Sequence, residues 1–429
     1  MTNANQTAGV VDSRRARDFA LLVVQELRRN GHQALWAGGC VRDELLGIEP
    51  QDYDVATDAL PAQVRQIFGH RRTLAIGAAF GVVAVLGPKR AGKVEIATFR
   101  RDATYSDGRH PDHVTFSSPE EDAQRRDFTI NGLFYDPIDE KTIDYVGGQE
   151  DLRRRLIRAI GNPHDRFDED KLRMLRAVRI ASTFDFEIDP DTVAAIQQHA
   201  HELRIVSAER ISAELRRMLI DRQRARAIEL LHVTGLLAVV LPEMVTSDGA
   251  VNEQGRPWRS TLEILEHLDS PTFPMALSVL LAAIWPQPPT PEICRRWHLS
   301  NDEAHATTWF VKHEATIRRA QLAPWPVIQR LLIEPLGRQL VNVAAAVGRV
   351  TDPRTDGIAF CRKKLSLPAA ELNPPPLLTG DDLVAHGLKP GKRFRDLLNS
   401  VRDAQLVGCV HDREEALRLV DELTRASEA

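Results

Sequence analysis

The first part of the chain alternates short apolar runs with amphipathic stretches. Five runs rich in apolar and β-branched residues predict strands, at residues 33–37, 52–56, 82–86, 94–99 and 142–146. Apolar residues recur at helical spacing between Ser13 and Asn30, which predicts a helix capped by Ser13 and closed by Gly31. This order of elements predicts an α/β unit at the start of the chain.

Beyond Gly161 the strand pattern fades and helical periodicity takes over. Four amphipathic stretches predict helices, at residues 171–183, 191–201, 208–221 and 224–231. Two proline-rich runs, PQPPTP at 286–291 and LNPPP at 372–376, predict breaks between later helices. We therefore predict an α+β protein with a sheet-containing part at 1–160 and all-helical parts at 161–235, 236–360 and 361–429.

Composition agrees with a folded protein of several domains. The 429 residues are 43% hydrophobic and 27% charged, which is typical of globular chains. No window approaches the roughly 18 consecutive apolar residues of a membrane span, so we expect a cytoplasmic protein without a membrane partner. The net charge of −4 argues against a wholly basic nucleic-acid coating, although local arginine clusters could still bind phosphates.

Acidic residues near the first strands are candidates for metal ligands. Asp52 and Asp54 stand two apart at a predicted strand, and alternate strand residues point to the same face. Glu95 lies on another predicted strand that could bring it beside them. Two Mg²⁺ ions held by such oxygens would serve nucleotidyl transfer, whereas a lone Asp-x-Asp is more often a solvated strand end.

Glycine and arginine motifs are candidates for nucleotide binding. Gly38, Gly39, Arg42 and Asp43 lie between a strand and a helix, where glycines let the backbone approach a polyphosphate. The run RRDFTIN at 125–131 combines Arg126, Asp127 and Asn131, a set suited to a ribose and a triphosphate. By itself, that run could equally be a helix terminus with a surface ion pair.

A further cluster, EDKLR at 169–173, is a candidate for base recognition. Asp170 and Arg173 are three residues apart, which would place both on one face of a helix that also carries Arg176. Asp170 could accept from the exocyclic amine of cytosine or adenine, and Arg173 could donate to the ring nitrogen. Without context, the pair could also be an ordinary surface salt bridge.

In this order, GGxxRD, DxD, RRDFTxN, EDxxR and the run ERISAEL at 209–215 resemble the motifs of class II CCA-adding enzymes and bacterial poly(A) polymerases. The resemblance is closest from Ala34 to Met218. It implies a nucleotidyltransferase head with a mixed five-stranded sheet, followed by a helical neck, body and tail. It also implies that Asp52 and Asp54 are catalytic Mg²⁺ ligands and that CTP and ATP are the substrates. We count Glu95 as a third catalytic candidate because of its predicted place on a neighbouring strand.

The motifs leave the RNA substrate open. Residues 100–114 resemble the flexible loop of enzymes that add the final A, and the acidic ending DELTRASEA lacks the basic arm more common in poly(A) polymerases. Both features favour CCA addition to the 3′ end of tRNA, while Glu121 to Gln124 and the run DYVGG at 144–148 also resemble the poly(A) branch. The alternatives are poly(A) or A-only addition to other RNA 3′ ends, and a non-catalytic RNA-binding relative.

Other features concern RNA and the C-terminal half. Arg109, Arg216 and Arg217 are candidates for contacts with RNA phosphates, although basic residues on helices are equally often solvated. The segment that starts at Ser260 resembles an HD phosphohydrolase module in which Ser260, Ala282 and Ala283 replace ligand residues. Hydroxyl and methyl groups cannot substitute for those ligands, so we expect a packing or RNA-contact scaffold. Nothing in the sequence predicts a protein partner.

Overall fold

A computed structural model describes residues 11–77, 80–102, 114–246, 250–251, 255–284, 289–352 and 356–426. The chain divides into two compact units, Met1–Gly249 and Ala250–Ala429. Over the described residues, every helix is too short or too polar to span a bilayer.

The first unit is built on a mixed sheet of seven strands with the order β3-β4-β5-β2-β1-β8-β9. The strands of this region are β1 (Ala34–Ala37), β2 (Asp54–Thr57), β3 (Thr73–Gly77), β4 (Val82–Leu86), β5 (Lys93–Thr98), β6 (Arg100–Asp102), β7 (Val114–Phe116), β8 (Phe134–Asp136) and β9 (Lys141–Ile143). Its helices are α1 (Ser13–Arg29), α2 (Gly39–Leu45), α3 (Pro61–Phe68), α4 (Pro119–Gln124) and α5 (Gly148–Arg153). Strands β6 and β7 form a separate antiparallel pair.

The centre of the sheet is where its direction changes. Strand β2 runs parallel to β5 and antiparallel to β1, and its register pairs Asp54 with Glu95. The apolar face of α1 packs against this centre through residues that include Phe19 and Leu27. All of β1 and the last three residues of β2 are buried, so the exposed Asp54 begins a strand that is anchored in the core.

The mixed sheet is confirmed, but it has seven strands where five were predicted. Strand β3 was missed because it exposes Leu74 and Ile76 and so lacks the alternation of a half-buried strand. Strand β8 has only three residues, which is too short to show a period. Strand β2 begins at Asp54, so Asp52 precedes the strand instead of lying in it. At α1, the side chain of Asp12, not Ser13, caps the helix by accepting from the Arg15 amide.

The rest of the first unit is helical apart from one small parallel pair, β10 (Leu156–Ile157) and β11 (Glu187–Ile188). Its helices are α6 (Pro163–Glu169), α7 (Leu172–Phe184), α8 (Pro190–His199), α9 (Ala208–Ile220), α10 (Arg224–Val233) and α11 (Leu237–Val240). Helix α7 packs against α9 and α10 through a nearly continuous buried side that includes Met174, Leu175 and Val178.

The described residues of the second unit form helices without strands. They are α12 (Trp258–Glu266), α13 (Phe273–Leu281), α14 (Thr290–Arg296), α15 (Asn301–Arg318), α16 (Trp325–Ile333), α17 (Gly337–Thr351), α18 (Asp356–Leu365), α19 (Ala369–Leu372), α20 (Gly380–Ala385), α21 (Arg393–Leu406) and α22 (Arg413–Ala426). The segment that resembles an HD module forms α12 and α13, which pack on α17 and α15. The last three helices enclose their own apolar cluster around Leu383 and Val401.

Candidate active site

Three carboxylates lie at the end of the sheet where the central strands β2 and β5 begin, and this group is here called the acidic corner. Asp54 opens β2, Asp52 precedes it by two residues, and Glu95 pairs with Asp54 in register on β5. Asp54 keeps an exposed surface, yet protein atoms surround much of its carboxylate and reduce its hydration. Burial first, and then the charges of Asp52 and Glu95, raise the pKa of Asp54 to about 6. This excess negative charge fits a cation site.

The carboxylates of the acidic corner lie farther apart than the ligands of a preformed site for a single ion. In the described chain, three ligand atoms of His, Cys, Asp or Glu lie within 4.8 Å of one another only at Asp168, His199 and Glu202. The carboxylates of that other cluster already pair with a lysine, because the ammonium of Lys171 lies 2.6 Å from Asp168 and 2.5 Å from Glu202. The acidic corner is therefore the candidate metal site, with the Lys93 ammonium 2.5 Å from Glu95 and close enough to Asp54 to lower its pKa.

A polar cleft of about 440 Å³ extends from Asp54 across the first unit. Its lining includes nine of the ten residues predicted to bind a nucleotide, namely Gly38, Gly39, Arg42, Arg126, Asp127, Asn131, Asp170, Arg173 and Arg176. The tenth, Asp43, sits behind Arg42 and accepts from its guanidinium at 2.7 and 2.9 Å. A cavity of similar size in the second unit offers a single carboxylate, Asp269, so it lacks the acidic corner's chemistry.

Residues from two motifs and from helix α7 join in one hydrogen-bonded row along the cleft. Arg42 donates to the side-chain oxygen of Asn131 at 2.7 Å, and the Asn131 amide donates to Asp127 at 3.1 Å. Asp127 in turn accepts two hydrogen bonds from Arg176, at 2.6 and 2.8 Å. Burial alone would raise the pKa of Asp127, but Arg176 and Asn131 outweigh it and hold that pKa far below its ordinary value.

Gly38 of the glycine motif packs directly against the Arg126 side chain. Gly38 has a φ of 75°, and a Cβ there would lie 3.0 Å from the Arg126 guanidinium. Arg126 is fixed from behind by Asp122, which is only 1% exposed and also pairs with Arg125. A side chain at position 38 would therefore strain the backbone and displace an arginine from the cleft wall.

The predicted base-reading pair does not share a helical face. Asp170 lies between α6 and α7 with extended backbone (φ −152°, ψ 106°), so only Arg173 belongs to α7. Asp170 accepts two hydrogen bonds from Arg210 of α9, at 2.7 and 3.1 Å. Arg173 pairs with Glu169 at 2.5 Å. The two side chains still line the same cleft, each held by its own partner.

Of the residues predicted to bind RNA, Arg216 and Arg217 lie outside the cleft lining. Arg109 falls outside the described residues, as does most of the predicted flexible loop. Arg217 is largely exposed on α9 at 3.5 Å from Glu214, and Arg216 is half-buried on the same helix. Their contact with RNA stays a prediction.

Three residues of the cleft lining were not among the predicted site residues, namely Arg125, Arg179 and the apolar Ile180. Arg179 continues a series on α7 at three-residue spacing after Arg173 and Arg176, and that spacing was the available signal. It pairs at 2.5 Å with Glu214, which is 4% exposed. Arg125 stood in the RRDFTIN motif, but its anchor Asp122 could be recognised only from the folded structure.

Replacing Asp127 with Asn should lower the free energy of unfolding by about 2 kcal/mol at pH 7, because Arg176 loses its buried anionic partner. Since the pKa of Asp127 is lower in the folded chain than the unfolded value of about 4, this contribution is complete above that value. It disappears as the pH falls through the lower folded pKa. Urea unfolding from pH 7 to pH 3 measures the difference between wild type and variant.

The difference should stay constant down to about pH 5 and shrink below about pH 4. Asp18→Asn is the matched control, because Asp18 is exposed on α1 and should change stability by less than about 0.5 kcal/mol. Equal stability of Asp127→Asn and wild type at pH 7 would contradict the structural role assigned to this ion pair.

Comparison with known proteins agrees with this architecture. Residues 34–158 match the family described as "Poly A polymerase head domain", and residues 185–247 match "Probable RNA and SrmB- binding site of polymerase A". The CCA-adding enzyme of Lacticaseibacillus paracasei is 32% identical over 95% of this chain and 96% of its own length. That of Levilactobacillus brevis is 33% identical over 93% and 96%.

Solved structures give the same result. The Bacillus stearothermophilus CCA-adding enzyme in complex with CTP superposes with a TM-score of 0.76 at 29% identity, covering 96% of this chain and 99% of that one. The Thermotoga maritima CCA-adding enzyme complexed with tRNA_CCA shares the fold, with a TM-score of 0.68 at 20% identity over 97% of both chains. With an acidic corner, an arginine-lined cleft and relatives matched over nearly their whole length, this chain belongs to the CCA-adding enzyme family.

Proposed function

We propose that this protein adds C, C and A to the 3′ end of tRNA, taking nucleotides from CTP and ATP without a nucleic-acid template. The observation that carries the proposal is the continuity of one cleft from the carboxylate of Asp54 to the side chains of Asp170 and Arg173. A nucleoside triphosphate needs its phosphates beside the acidic corner and its base at a distance from it. The cleft offers both environments in that order.

Asp52, Asp54 and Glu95 would hold Mg²⁺. Carboxylate oxygens are the ligands that Mg²⁺ prefers. A bound cation would offset the repulsion from Asp52 and Glu95 that helps to raise the pKa of Asp54. The chemistry that such ions supply is activation of the attacking 3′-hydroxyl and stabilisation of the leaving pyrophosphate.

The arginines of the cleft would bind the triphosphate and the ribose. Arg126 lies against Gly38 and Arg42 lies against Gly39, so the two glycines let both guanidiniums come close to the backbone on the cleft wall. Their guanidiniums are oriented by Asp43 and Asp122 before any ligand arrives, which lowers the cost of ordering them on binding. Asn131, fixed between Arg42 and Asp127, would contact the sugar.

The helical parts would then bind the tRNA. Residues 161–235 would form a neck that selects the base, with Arg216 and Arg217 on phosphates. The helices at 236–360 would serve as a scaffold, because Ser260, Ala282 and Ala283 offer no imidazole or carboxylate for metal chemistry. Residues 361–429 would form the tail. We place the protein in the cytoplasm, with tRNA as its partner.

Incorporation from each single labelled nucleotide, with Mg²⁺, tests the proposal. The acceptors are tRNA transcripts that end at the discriminator base, at C and at CC, together with an unstructured RNA. We expect CTP to extend the first two, ATP to extend only the CC end, and addition to stop after CCA. Single A addition confined to CC ends would indicate an A-adding enzyme, and long A tails on any RNA would indicate a poly(A) polymerase. No product with any acceptor would favour a non-catalytic relative.

A further inference from the structure

The junction between α6 and α7 carries a buried ionic network to which the proposed chemistry gives no role. Lys171 follows Asp170 directly and is only 5% exposed. Its ammonium lies 2.6 Å from a carboxylate oxygen of Asp168 and 2.5 Å from one of Glu202. An ammonium withdrawn this far from water is tolerated only where such partners replace its hydration.

The network extends from Glu202 to two histidines. The other carboxylate oxygen of Glu202 lies 2.8 Å from Nδ1 of His199, and Nε2 of His199 lies 3.0 Å from Nδ1 of His164. Asp168 and His164 belong to α6, His199 ends α8, and Glu202 lies in the 3₁₀ turn Ala200–Ile205. Lys171 therefore ties the start of α7 to three neighbouring elements.

The directions in which the pKa values shift agree with a central place for Lys171 in the network. Burial opposes the ammonium, but the hydrogen bonds to Asp168 and Glu202 more than offset it and raise the pKa of Lys171. The hydrogen bond from Lys171 is also the main reason that the pKa of Glu202 is lowered. Both groups stay charged at neutral pH, so the contact persists under working conditions.

The network restrains the backbone from which the base-reading residues project. Asp170 has extended backbone and is joined to α7 by its own side chain, which accepts from the Leu172 amide at 3.1 Å. Lys171 is the helix-capping residue next to it, and Arg173 lies half a turn further on. A shift of Lys171 would move both Asp170 and Arg173 relative to the acidic corner.

We propose that Lys171 is a positioning residue for base selection, which fixes the α6–α7 junction so that Asp170 and Arg173 meet the base edge in one geometry. The inference rests on the proposed function of the cleft in reading CTP and ATP. Hydrogen bonding to a base edge tolerates little displacement, so a loosened junction should affect the choice of base before it affects transfer itself.

Lys171→Met tests this, because methionine keeps an unbranched apolar stem and removes the charge. We measure single-turnover incorporation of all four nucleotides on tRNA ending at C and at CC. We expect discrimination between correct and incorrect bases to fall by about tenfold, with a smaller loss in the rate for the correct one. Lys171→Arg, which keeps the charge and the reach, should recover most of the discrimination. Lys363→Met, at an exposed lysine of α18, is the matched control and should match wild type.

The outcomes separate this inference from the proposed function. Wild-type protein that fails to extend tRNA overturns the proposed function and this inference with it. Faithful wild type beside an equally faithful Lys171→Met, or a uniform loss of rate for all nucleotides, overturns the inference alone. Should Lys171→Met not fold, Glu202→Gln removes one charge from a partner that is 31% exposed, and unchanged discrimination in that variant overturns the inference as well.

Discussion

Asp54→Asn is expected to reduce nucleotide incorporation about a thousandfold while leaving the fold intact. Asparagine keeps the shape of the side chain but removes the charge that the acidic corner needs to bind cations. Losing one such ligand removes about 4 kcal/mol of transition-state stabilisation, which corresponds to that factor in rate. The measurement is single-turnover incorporation of ATP on tRNA ending at CC, across a Mg²⁺ titration.

A control variant and stability measurements distinguish the loss of a metal ligand from a general loss of folding. Asp139→Asn is the matched control, because the Asp139 side chain is 70% exposed, and its rate and Mg²⁺ dependence should equal those of wild type. The circular dichroism spectrum of Asp54→Asn should also match wild type, and without Mg²⁺ its urea midpoint should be equal or higher, because the raised pKa of Asp54 means that its charge opposes folding. Retained turnover in Asp54→Asn would remove this residue from the metal site.

The candidate site could be predicted where chemistry is concentrated in short motifs. Gly38 to Asp43, Asp52 to Asp54 and Arg125 to Asn131 each combine residue types that share a task within seven positions or fewer. The placement of Glu95 beside Asp54 needed one further assumption, that their strands are neighbours, and the register shows that they are. Periodicity likewise predicted the main helices of the first unit, because their buried faces are long enough to repeat.

The rest depends on contacts between distant parts of the chain. Helical spacing predicted that Asp170 and Arg173 share a face, but the backbone at Asp170 is extended, and it is the tertiary contacts of Lys171 and Arg210 that hold it there. Arg210 is 40 residues from Asp170, and no local pattern connects them. Strand β3 was missed for a related reason, since pairing with β4 stabilises a strand whose side chains are largely exposed.

Asp170 and Arg173 have spare hydrogen-bonding capacity, so the proposed reading of a base would not require either residue to release its partners. Asp170 accepts from Arg210 and from the Leu172 amide, and a carboxylate can accept about four hydrogen bonds. Among the described residues, Arg173 donates to its neighbours through its two terminal nitrogens, which leaves Nε available. The remaining acceptor matches the exocyclic amine of cytosine or adenine, and the remaining donor matches the neighbouring ring nitrogen. Uracil and guanine present the opposite polarity.

Asp170→Asn should therefore admit the wrong bases. The amide adds a donor that can face the carbonyl oxygen of uracil or guanine. Each hydrogen bond to a charged group is worth about 1.5–3 kcal/mol, so discrimination of CTP against UTP should fall by about 10- to 100-fold. Arg173→Ala should relax the choice similarly, by removing the matching donor. Competition between CTP and UTP on tRNA ending at C measures the ratio directly.

The discriminating result is a change in choice that exceeds the change in rate. Asp165→Asn alters an exposed carboxylate of α6 close to the same junction and should leave the ratio at its wild-type value. Because the proposed role of Asp170 and Arg173 is to contact the base and not the cations, both variants should keep the Mg²⁺ dependence that Asp54→Asn loses. Variants that lost most of their activity, yet kept wild-type selectivity in what remained, would show that these two residues support the fold of the neck and that the base is read elsewhere in the cleft.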